Sequence, residues 1–141
     1  MQRKSSAIWS GDLKSGKGTI STDSGALKGT QYSFSTRFEN GIGTNPEELI
    51  AAAHAGCFSM ALSAQLAESA LTPESIRTTA TVELEKQEAG WVIPRIHLDV
   101  TAKIPGADPK VFESAAARAK AGCPVSQVLN AEITMEAKLE A

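Results

Sequence analysis

The sequence lacks the features that would place it in several large classes of protein. Its formal net charge is only −2 over 141 residues, so it carries no strongly basic surface of the kind that binds nucleic acid. No apolar run approaches about 18 residues without a polar interruption, which argues against a membrane-spanning segment. Residues 1–18 include basic side chains but no apolar stretch, so they do not form a secretory signal. We expect a cytoplasmic protein with neither a nucleic-acid nor a membrane partner.

Three common kinds of site are also missing from the sequence. The two cysteines, Cys57 and Cys123, lie far apart and form no local CxxC motif. The two histidines, His54 and His97, do not combine with them into zinc-ligand spacing. The stretch GDLKSGKGT lies between predicted strands, whereas a phosphate-binding loop joins a strand to a helix. We therefore expect no metal site and no phosphate-binding loop.

A long helix over residues 44–70 is the element around which the chain is organised. Asn45 or Thr44 can cap its start, and Asn45 with Glu48 has the spacing of a capping box. Glu47 and Glu48 place negative charge at the positive end of the helix dipole. The residues that follow are strong helix formers, so the helix continues for roughly seven turns.

Nearly every face of this helix is small or apolar, which is typical of a helix buried in a core. One stripe has helical spacing: Ile50, Ala53, Cys57, Met60 and Ala64. The helix would be about 35 Å long, at a rise of 1.5 Å per residue, and one small sheet can hardly cover it. We therefore expect a homodimer in which two such helices pack together. A chain of 141 residues is expected to form a single domain over residues 1–141.

Short runs of alternating polar and apolar residues predict six strands, at 6–9, 18–22, 32–39, 76–85, 96–104 and 133–139. The third of these places Arg37 on the side opposite the aromatic residues. Two further helices begin at Asp108–Pro109 and at Cys123–Pro124. Hairpin connections dominate, so the fold class is α+β with largely antiparallel sheets around the long central helix.

Local sequence predicts which of the two cysteines is the more reactive. Cys57 lies on the apolar stripe, where a free cysteine is often only a small buried hydrophobe. Cys123 lies between Gly122 and Pro124 at the start of a predicted helix, with Lys120 nearby, and both features lower a thiol pKa. Local physics therefore favours Cys123 as the more reactive thiol. If the two thiols meet in space, they form a reactive and a resolving pair; otherwise neither has a function.

Three other side chains have both a structural and a chemical interpretation. Arg37 is either a solvated arginine or a cation that stabilises a thiolate and the charge on a leaving oxygen. Glu47 has a sufficient structural role in the first helical turn, but it could also accept a bidentate pair from Arg37. His54 lies one turn before Cys57, which allows a Cys–His pair, although a hydrogen-bonded core histidine is the commoner outcome.

Two segments, NPEELIAAAHAGCFSMAL and AKAGCPVSQVL, together with the earlier STRFENGIGTNPEEL, closely resemble the osmotically inducible protein C (OsmC) family. The resemblance covers essentially the whole chain and is closer to the OsmC subgroup than to the sister organic hydroperoxide resistance (Ohr) proteins. It implies an intertwined α+β homodimer with an OsmC-like fold. It also implies two sites at the subunit interface, without metal or flavin.

The resemblance implies a role for each of four residues. Cys57 matches the peroxidatic thiol and Cys123 the resolving thiol, which reverses the ranking from local physics. Arg37 matches the family arginine, and Glu47 matches the carboxylate that holds it. Glu48 is the neighbouring alternative, which we favour less because it has the capping-box position.

The implied function is a cysteine-based peroxidase in oxidative and osmotic stress defence. It would reduce organic hydroperoxides, and hydrogen peroxide to some degree, through a Cys57 sulfenic acid and a Cys57–Cys123 disulfide. An external dithiol, in this family commonly a lipoyl group on a protein, would then restore the thiols. We further expect the apolar side chains Ala53, Phe58 and Met60 to line a pocket for the organic group.

Two other functions remain open at this point. The chain could be a redox sensor or a small-molecule-binding dimer without significant turnover, in which the disulfide acts as a switch. It could also be a structural dimerisation domain whose cysteines never meet.

Overall fold

The structure of the protein, a computed structural model, describes residues 1–140. It divides into two compact units, Met1–Leu49 and Ile50–Ala141. Helices and strands both contribute substantially to it, which confirms the α+β class. The expectation of one domain over residues 1–141 stays a prediction.

The first unit is built on a three-stranded antiparallel sheet with the strand order β1-β2-β3. Its strands are β1 (Ser5–Ser10), β2 (Lys17–Thr22) and β3 (Thr30–Tyr32), followed by a short helix, α1 (Phe34–Phe38). The long helix α2 (Pro46–Ala67) starts in this unit. The first two predicted strands are therefore confirmed.

The predicted third strand over residues 32–39 is wrong beyond Tyr32, because the chain turns there into α1. The cause is a capping box. The backbone N–H of Thr36 donates to the Ser33 hydroxyl (3.3 Å), and the backbone N–H of Ser33 donates to the Thr36 hydroxyl (2.8 Å). These local bonds outweigh the alternation of aromatic residues. Arg37 thus lies in the last turn of a helix and not on the polar side of a strand.

The loop that leads into α2 depends on a glycine. Gly43 has a φ of +136°, and a Cβ atom there would lie 2.3 Å from the carbonyl oxygen of Gln31. The next backbone N–H, that of Thr44, donates to the same oxygen at 2.9 Å. Only glycine therefore allows the loop to approach β3 this closely.

Of the two predicted caps, Asn45 and Thr44, it is Asn45 that caps α2. Its Oδ1 accepts a hydrogen bond from the backbone N–H of Glu48 (2.8 Å), and its Nδ2 donates to the carbonyl of Thr36 (3.0 Å). The carboxylate of Glu48 accepts a bond from the hydroxyl of Thr44 at 2.7 Å. One side chain therefore caps α2 and ties its start to α1.

The second unit contains most of α2 and the remaining elements of the chain. These are β4 (Ser75–Val82), β5 (Glu85–Gln87), β6 (Gly90–Val92), β7 (Arg95–Lys103), α3 (Pro109–Gly122), α4 (Pro124–Val128) and β8 (Glu132–Glu140). A three-stranded sheet has the order β4-β7-β8, and β5 pairs only with β6.

One strand pairing departs from the expected antiparallel pattern. The pair β4–β7 is antiparallel, as predicted, but β8 lies parallel to β7. Helices α3 and α4 lie between β7 and β8 in the chain, and a crossover of this kind is the usual way to join parallel neighbours.

The core of the second unit fixes which face of α2 is buried. Helix α2 contributes Phe58, Leu62 and Leu66, which are spaced four residues apart and fully buried. Their partners in one cluster come from β7, the residues after it and α3: Leu98, Val100, Ala102, Ile104, Phe112, Ala115, Ala116 and Ala119. Burying these side chains supplies the hydrophobic stabilisation of this unit.

The apolar stripe predicted for α2 has the wrong phase. Ala53 and Ala64 are exposed, and Met60 is 78% exposed. The reason is that small side chains cover nearly the whole helix, so spacing alone cannot define a face. The large side chains of Phe58 and Leu62 decide the phase, because their burial removes more apolar surface from water.

The exposed apolar surface of α2 also bears on membrane insertion. By length and composition, α2 is the one helix among residues 1–140 that could cross a membrane, although the sequence predicted none. Polar residues interrupt the apolar run, but the mean hydropathy of the helix is still 1.4. Core helices of soluble proteins meet the same criterion, so this property does not assign a membrane location.

Candidate active site

Arg37 and Glu47 form an ion pair in the first unit. The Nε and Nη2 atoms of Arg37 both donate to one oxygen of Glu47, Oε1, at 2.9 and 2.8 Å. The pair therefore forms, but not as the two-oxygen fork that sequence suggested. The second oxygen, Oε2, is buried, and no hydrogen-bond partner for it lies within the described part of the chain.

Burial makes this pair more than a surface contact. The side chain of Glu47 is only 10% exposed, whereas that of Arg37 is 40% exposed. A buried carboxylate requires a charged or hydrogen-bonding partner, because removing it from water is costly. Glu47 therefore holds the guanidinium of Arg37 in place, while the Arg37 side chain stays partly exposed.

Arg37 also lines a cavity of about 290 Å³ in the first unit. Aromatic contacts shape it: the rings of Trp9 and Tyr32 lie 5.5 Å apart, and those of Phe34 and Phe38 lie 4.8 Å apart. The full lining is Trp9, Leu13, Tyr32, Ser33, Phe34, Arg37, Phe38 and Pro46. Sequence reasoning missed this cavity because it assigned the aromatic residues to one face of a strand.

Cys57 and Cys123 meet in the second unit. Their sulfur atoms lie 2.7 Å apart, and both are free thiols. Cys57 lies in the middle of α2, and Cys123 lies at the junction between α3 and α4. Two residues far apart in the sequence are thus placed in direct contact.

The surroundings of the two thiols differ. Cys123 is fully buried and makes no side-chain cap to α4, whereas Cys57 is partly exposed. Burial raises the pKa of Cys57, the side-chain hydrogen bond with Cys123 raises it further, and the hydrogen bond from the backbone N–H of Val125 opposes the rise. Access thus favours Cys57 as the first thiol that a reagent meets, whereas burial disfavours its thiolate.

His54 does not form the Cys–His pair that its spacing allowed. The ring is fully buried, and its Nε2 lies 2.7 Å from the hydroxyl oxygen of Ser126, within hydrogen-bond distance. Burial lowers its pKa, so the neutral ring is favoured. Its other nitrogen, Nδ1, is buried without a partner among residues 1–140. The commoner outcome, a core histidine, is the one observed.

The three residues expected to line a substrate pocket do not share a surface. Phe58 is fully buried in the core cluster, whereas Ala53 and Met60 are exposed. Their contact with a substrate stays a prediction. Within residues 1–140, no group of three or more His, Cys, Asp or Glu side chains is arranged to hold a metal ion.

Comparison with known proteins identifies the family. The family model of OsmC-like protein matches residues 39–138, which include both cysteines and Glu47. The chain belongs to the OsmC-like family. It is 55% identical to "Peroxiredoxin OsmC" of Escherichia coli K12 over 140 residues, covering 99% of this chain and 98% of that protein.

Solved structures support the same fold for this OsmC-family chain. An OsmC-like protein of unknown function from Vibrio cholerae has a TM-score of 0.79 at 18% identity, covering 97% of this chain and 99% of that one. An organic hydroperoxide resistance protein of Bacillus subtilis has a TM-score of 0.70 at 24% identity, covering 96% and 98%. The predicted OsmC-like fold is confirmed.

We predict that Arg37→Met destabilises the protein by about 1–3 kcal/mol, because it leaves the buried Glu47 carboxylate unpaired. The double variant Arg37→Met/Glu47→Met removes both charges and should lose less stability than the single variant. Urea unfolding of the wild type, both single variants and the double variant measures this difference. A loss of unfolding free energy in the double variant equal to the sum of the two single losses would contradict the coupling between Arg37 and Glu47.

Proposed function

We propose that this chain reduces organic hydroperoxides, with Cys57 as the peroxidatic thiol and Cys123 as the resolving thiol. The coarser assignment, a thiol-dependent peroxidase, rests on the 55% identity with a protein named a peroxiredoxin. The observation that carries the finer one is the 2.7 Å contact between the two sulfur atoms. A resolving thiol must reach the oxidised sulfur, and here it already lies beside it.

The proposed reaction has two steps on the protein. The Cys57 thiolate attacks the outer oxygen of the hydroperoxide, the O–O bond breaks, and the alcohol leaves once its oxygen is protonated. The resulting Cys57 sulfenic acid condenses with the Cys123 thiol to give a disulfide and water. A dithiol then reduces the disulfide by exchange and becomes a disulfide itself. We assign that role to a lipoyl group on a protein, following the family resemblance.

We assign to Arg37 the cation that stabilises the Cys57 thiolate and the charge on the leaving oxygen. The raised pKa of Cys57 supports the need for such a cation. Glu47 would act as a positioning residue, because its buried carboxylate holds the guanidinium. Glu48 is less suited to this role, since its carboxylate accepts a bond from Thr44.

We propose that the aromatic cavity of the first unit receives the organic group of the hydroperoxide. A hydroperoxide beside Arg37 would place its carbon skeleton among Trp9, Tyr32 and Phe34, which also line the cavity. Apolar and aromatic linings of this size suit a small organic ligand. The proposal moves the substrate contact away from Phe58, which lies in the core.

We propose that the active form is a cytoplasmic homodimer. The single chain leaves apolar surface exposed on α2, including Met60, and on the first unit, including Ile8 and Leu13. None of the apolar residues of the first unit is buried in the chain alone. A small sheet needs a covered apolar face for stability, and a second copy of the chain would supply it.

A redox switch is the second candidate function. The 2.7 Å contact between the two sulfur atoms favours it, because two adjacent thiols can form a disulfide whether or not the protein turns over. In that case the disulfide would form readily but turn over little. The same experiment separates the two functions.

We predict that the wild type consumes dihydrolipoamide when tert-butyl hydroperoxide is supplied, and more slowly with hydrogen peroxide. Cys57→Ser should abolish this turnover. Cys123→Ser should stop disulfide formation and let a Cys57 sulfenic acid persist, which dimedone labelling with mass spectrometry detects. A wild type that forms the disulfide but does not turn over with dihydrolipoamide or a generic dithiol would instead favour the redox switch.

We predict that Leu13→Gln lowers kcat/KM for cumene hydroperoxide about three- to tenfold, because a polar side chain weakens apolar contacts in the cavity. Hydrogen peroxide has no organic group, so its kcat/KM should stay unchanged. Ile42→Gln is the matched control, since Ile42 is an exposed apolar residue of the same unit that neither lines the cavity nor lies in the sheet. Equal losses with both peroxides, or equal effects of both variants, would refute this substrate site.

A further inference from the structure

His54 is a fully buried polar residue that the proposed chemistry does not use. Its hydrogen-bond partner, Ser126, is distant in the sequence and lies in α4, so this bond joins α2 to α4. A buried imidazole loses its hydration, and such a cost is usually offset by a specific contact. The bond to Ser126 offsets only part of this cost, because the Nδ1 atom of His54 has no partner among residues 1–140.

The hydrogen bond between His54 and Ser126 lies close to the two thiols in the sequence of both segments. His54 precedes Cys57 by three residues on α2, and Cys123 precedes Ser126 by three residues. Residues three apart on a helix are neighbours on its surface. The bond between His54 and Ser126 and the contact between Cys57 and Cys123 therefore join the same two segments at adjacent points.

Helix α4 is too short to stay in place without contacts to its neighbours. It consists of five residues, and none of its side chains is buried. Helices this short are not stable by themselves, so contacts with neighbouring elements must hold them. The hydrogen bond from α4 to a fully buried residue of α2 is such a contact.

We propose that His54 is a positioning residue that acts through Ser126 to hold Cys123 against Cys57 for disulfide formation. The proposal deepens the function proposed above and rests on it. Neither His54 nor Ser126 touches the reacting oxygen in this account. Their loss should leave the first oxidation of Cys57 unchanged and weaken the second step, the attack of the Cys123 thiol on the Cys57 sulfenic acid.

The chain offers matched variants for a test. Ser126→Ala removes the hydroxyl from a partly exposed site and leaves the core intact. His54→Gln keeps a hydrogen-bonding group near the position of Nε2, whereas His54→Asn places it near Nδ1, which has no partner. If the bond through Nε2 matters, Gln should preserve the function and Asn should not.

The first measurement avoids peroxide altogether. In glutathione redox buffers, the dithiol reacts with glutathione disulfide to give the Cys57–Cys123 disulfide and two molecules of glutathione. We expect Ser126→Ala and His54→Asn to lower this equilibrium constant about three- to tenfold, the effect of losing one neutral hydrogen bond. His54→Gln should stay close to the wild type. A wild-type equilibrium constant in Ser126→Ala, or equal losses in both His54 variants, would overturn the proposal.

The second measurement applies the same variants to the peroxide reaction. After mixing with cumene hydroperoxide, we expect unchanged loss of the Cys57 thiol but a longer-lived sulfenic acid in Ser126→Ala, detected by dimedone trapping. Equal sulfenic acid lifetimes in Ser126→Ala and the wild type would overturn the proposal. If the wild type shows no oxidation by peroxide while the glutathione equilibria shift as expected, the peroxidase proposal fails and the positioning role of His54 stands.

Discussion

The face that α2 turns toward the core of the second unit is set by the burial of Phe58, Leu62 and Leu66. Phe58 follows Cys57 directly, so burying its ring leaves the neighbouring thiol at the edge of the buried face. On the other side, the buried Ala119 holds the last turn of α3, and the backbone N–H of Cys123 donates to its carbonyl at 2.9 Å. Core packing thus brings the sulfur atoms together, without any sequence motif that links them.

This packing creates an electrostatic difficulty that the chemistry must overcome. Partial burial of Cys57 raises its pKa, and the hydrogen bond with Cys123 raises it further. A peroxidatic cysteine needs the opposite shift, since the thiolate is the nucleophile. This is why we propose a cation for the site, and the guanidinium of Arg37, paired with the buried carboxylate of Glu47, is our candidate.

Sequence predicted those features that local rules control. The cap of α2 by Asn45, the alternating strand β4 and the start of α3 at Asp108–Pro109 follow from short-range hydrogen bonds and periodicity. The failures have a common origin in competing signals. Aromatic alternation at residues 32–39 lost to a capping box, and the uniform apolar surface of α2 concealed which side chains face the core.

The candidate site could be predicted only in part for the same reason. Local sequence favoured Cys123 because of its helix-start position, but tertiary packing buries it completely and leaves Cys57 partly accessible. Neither the contact of the two sulfur atoms nor the hydrogen bond of His54 can be derived from spacing, since each joins segments distant in the chain. The family resemblance implies the opposite order of the two thiols from the one that local sequence favours.

The most direct test of this account is a peptide map of the protein after stoichiometric oxidation. Reduced protein would be mixed with one equivalent of cumene hydroperoxide, alkylated, digested without reduction and analysed by mass spectrometry, with non-reducing electrophoresis to separate links within a chain from links between chains. We expect one linked peptide pair that contains Cys57 and Cys123 of the same chain. Free, alkylated Cys57 and Cys123 after oxidation, or a disulfide between two chains, would contradict it.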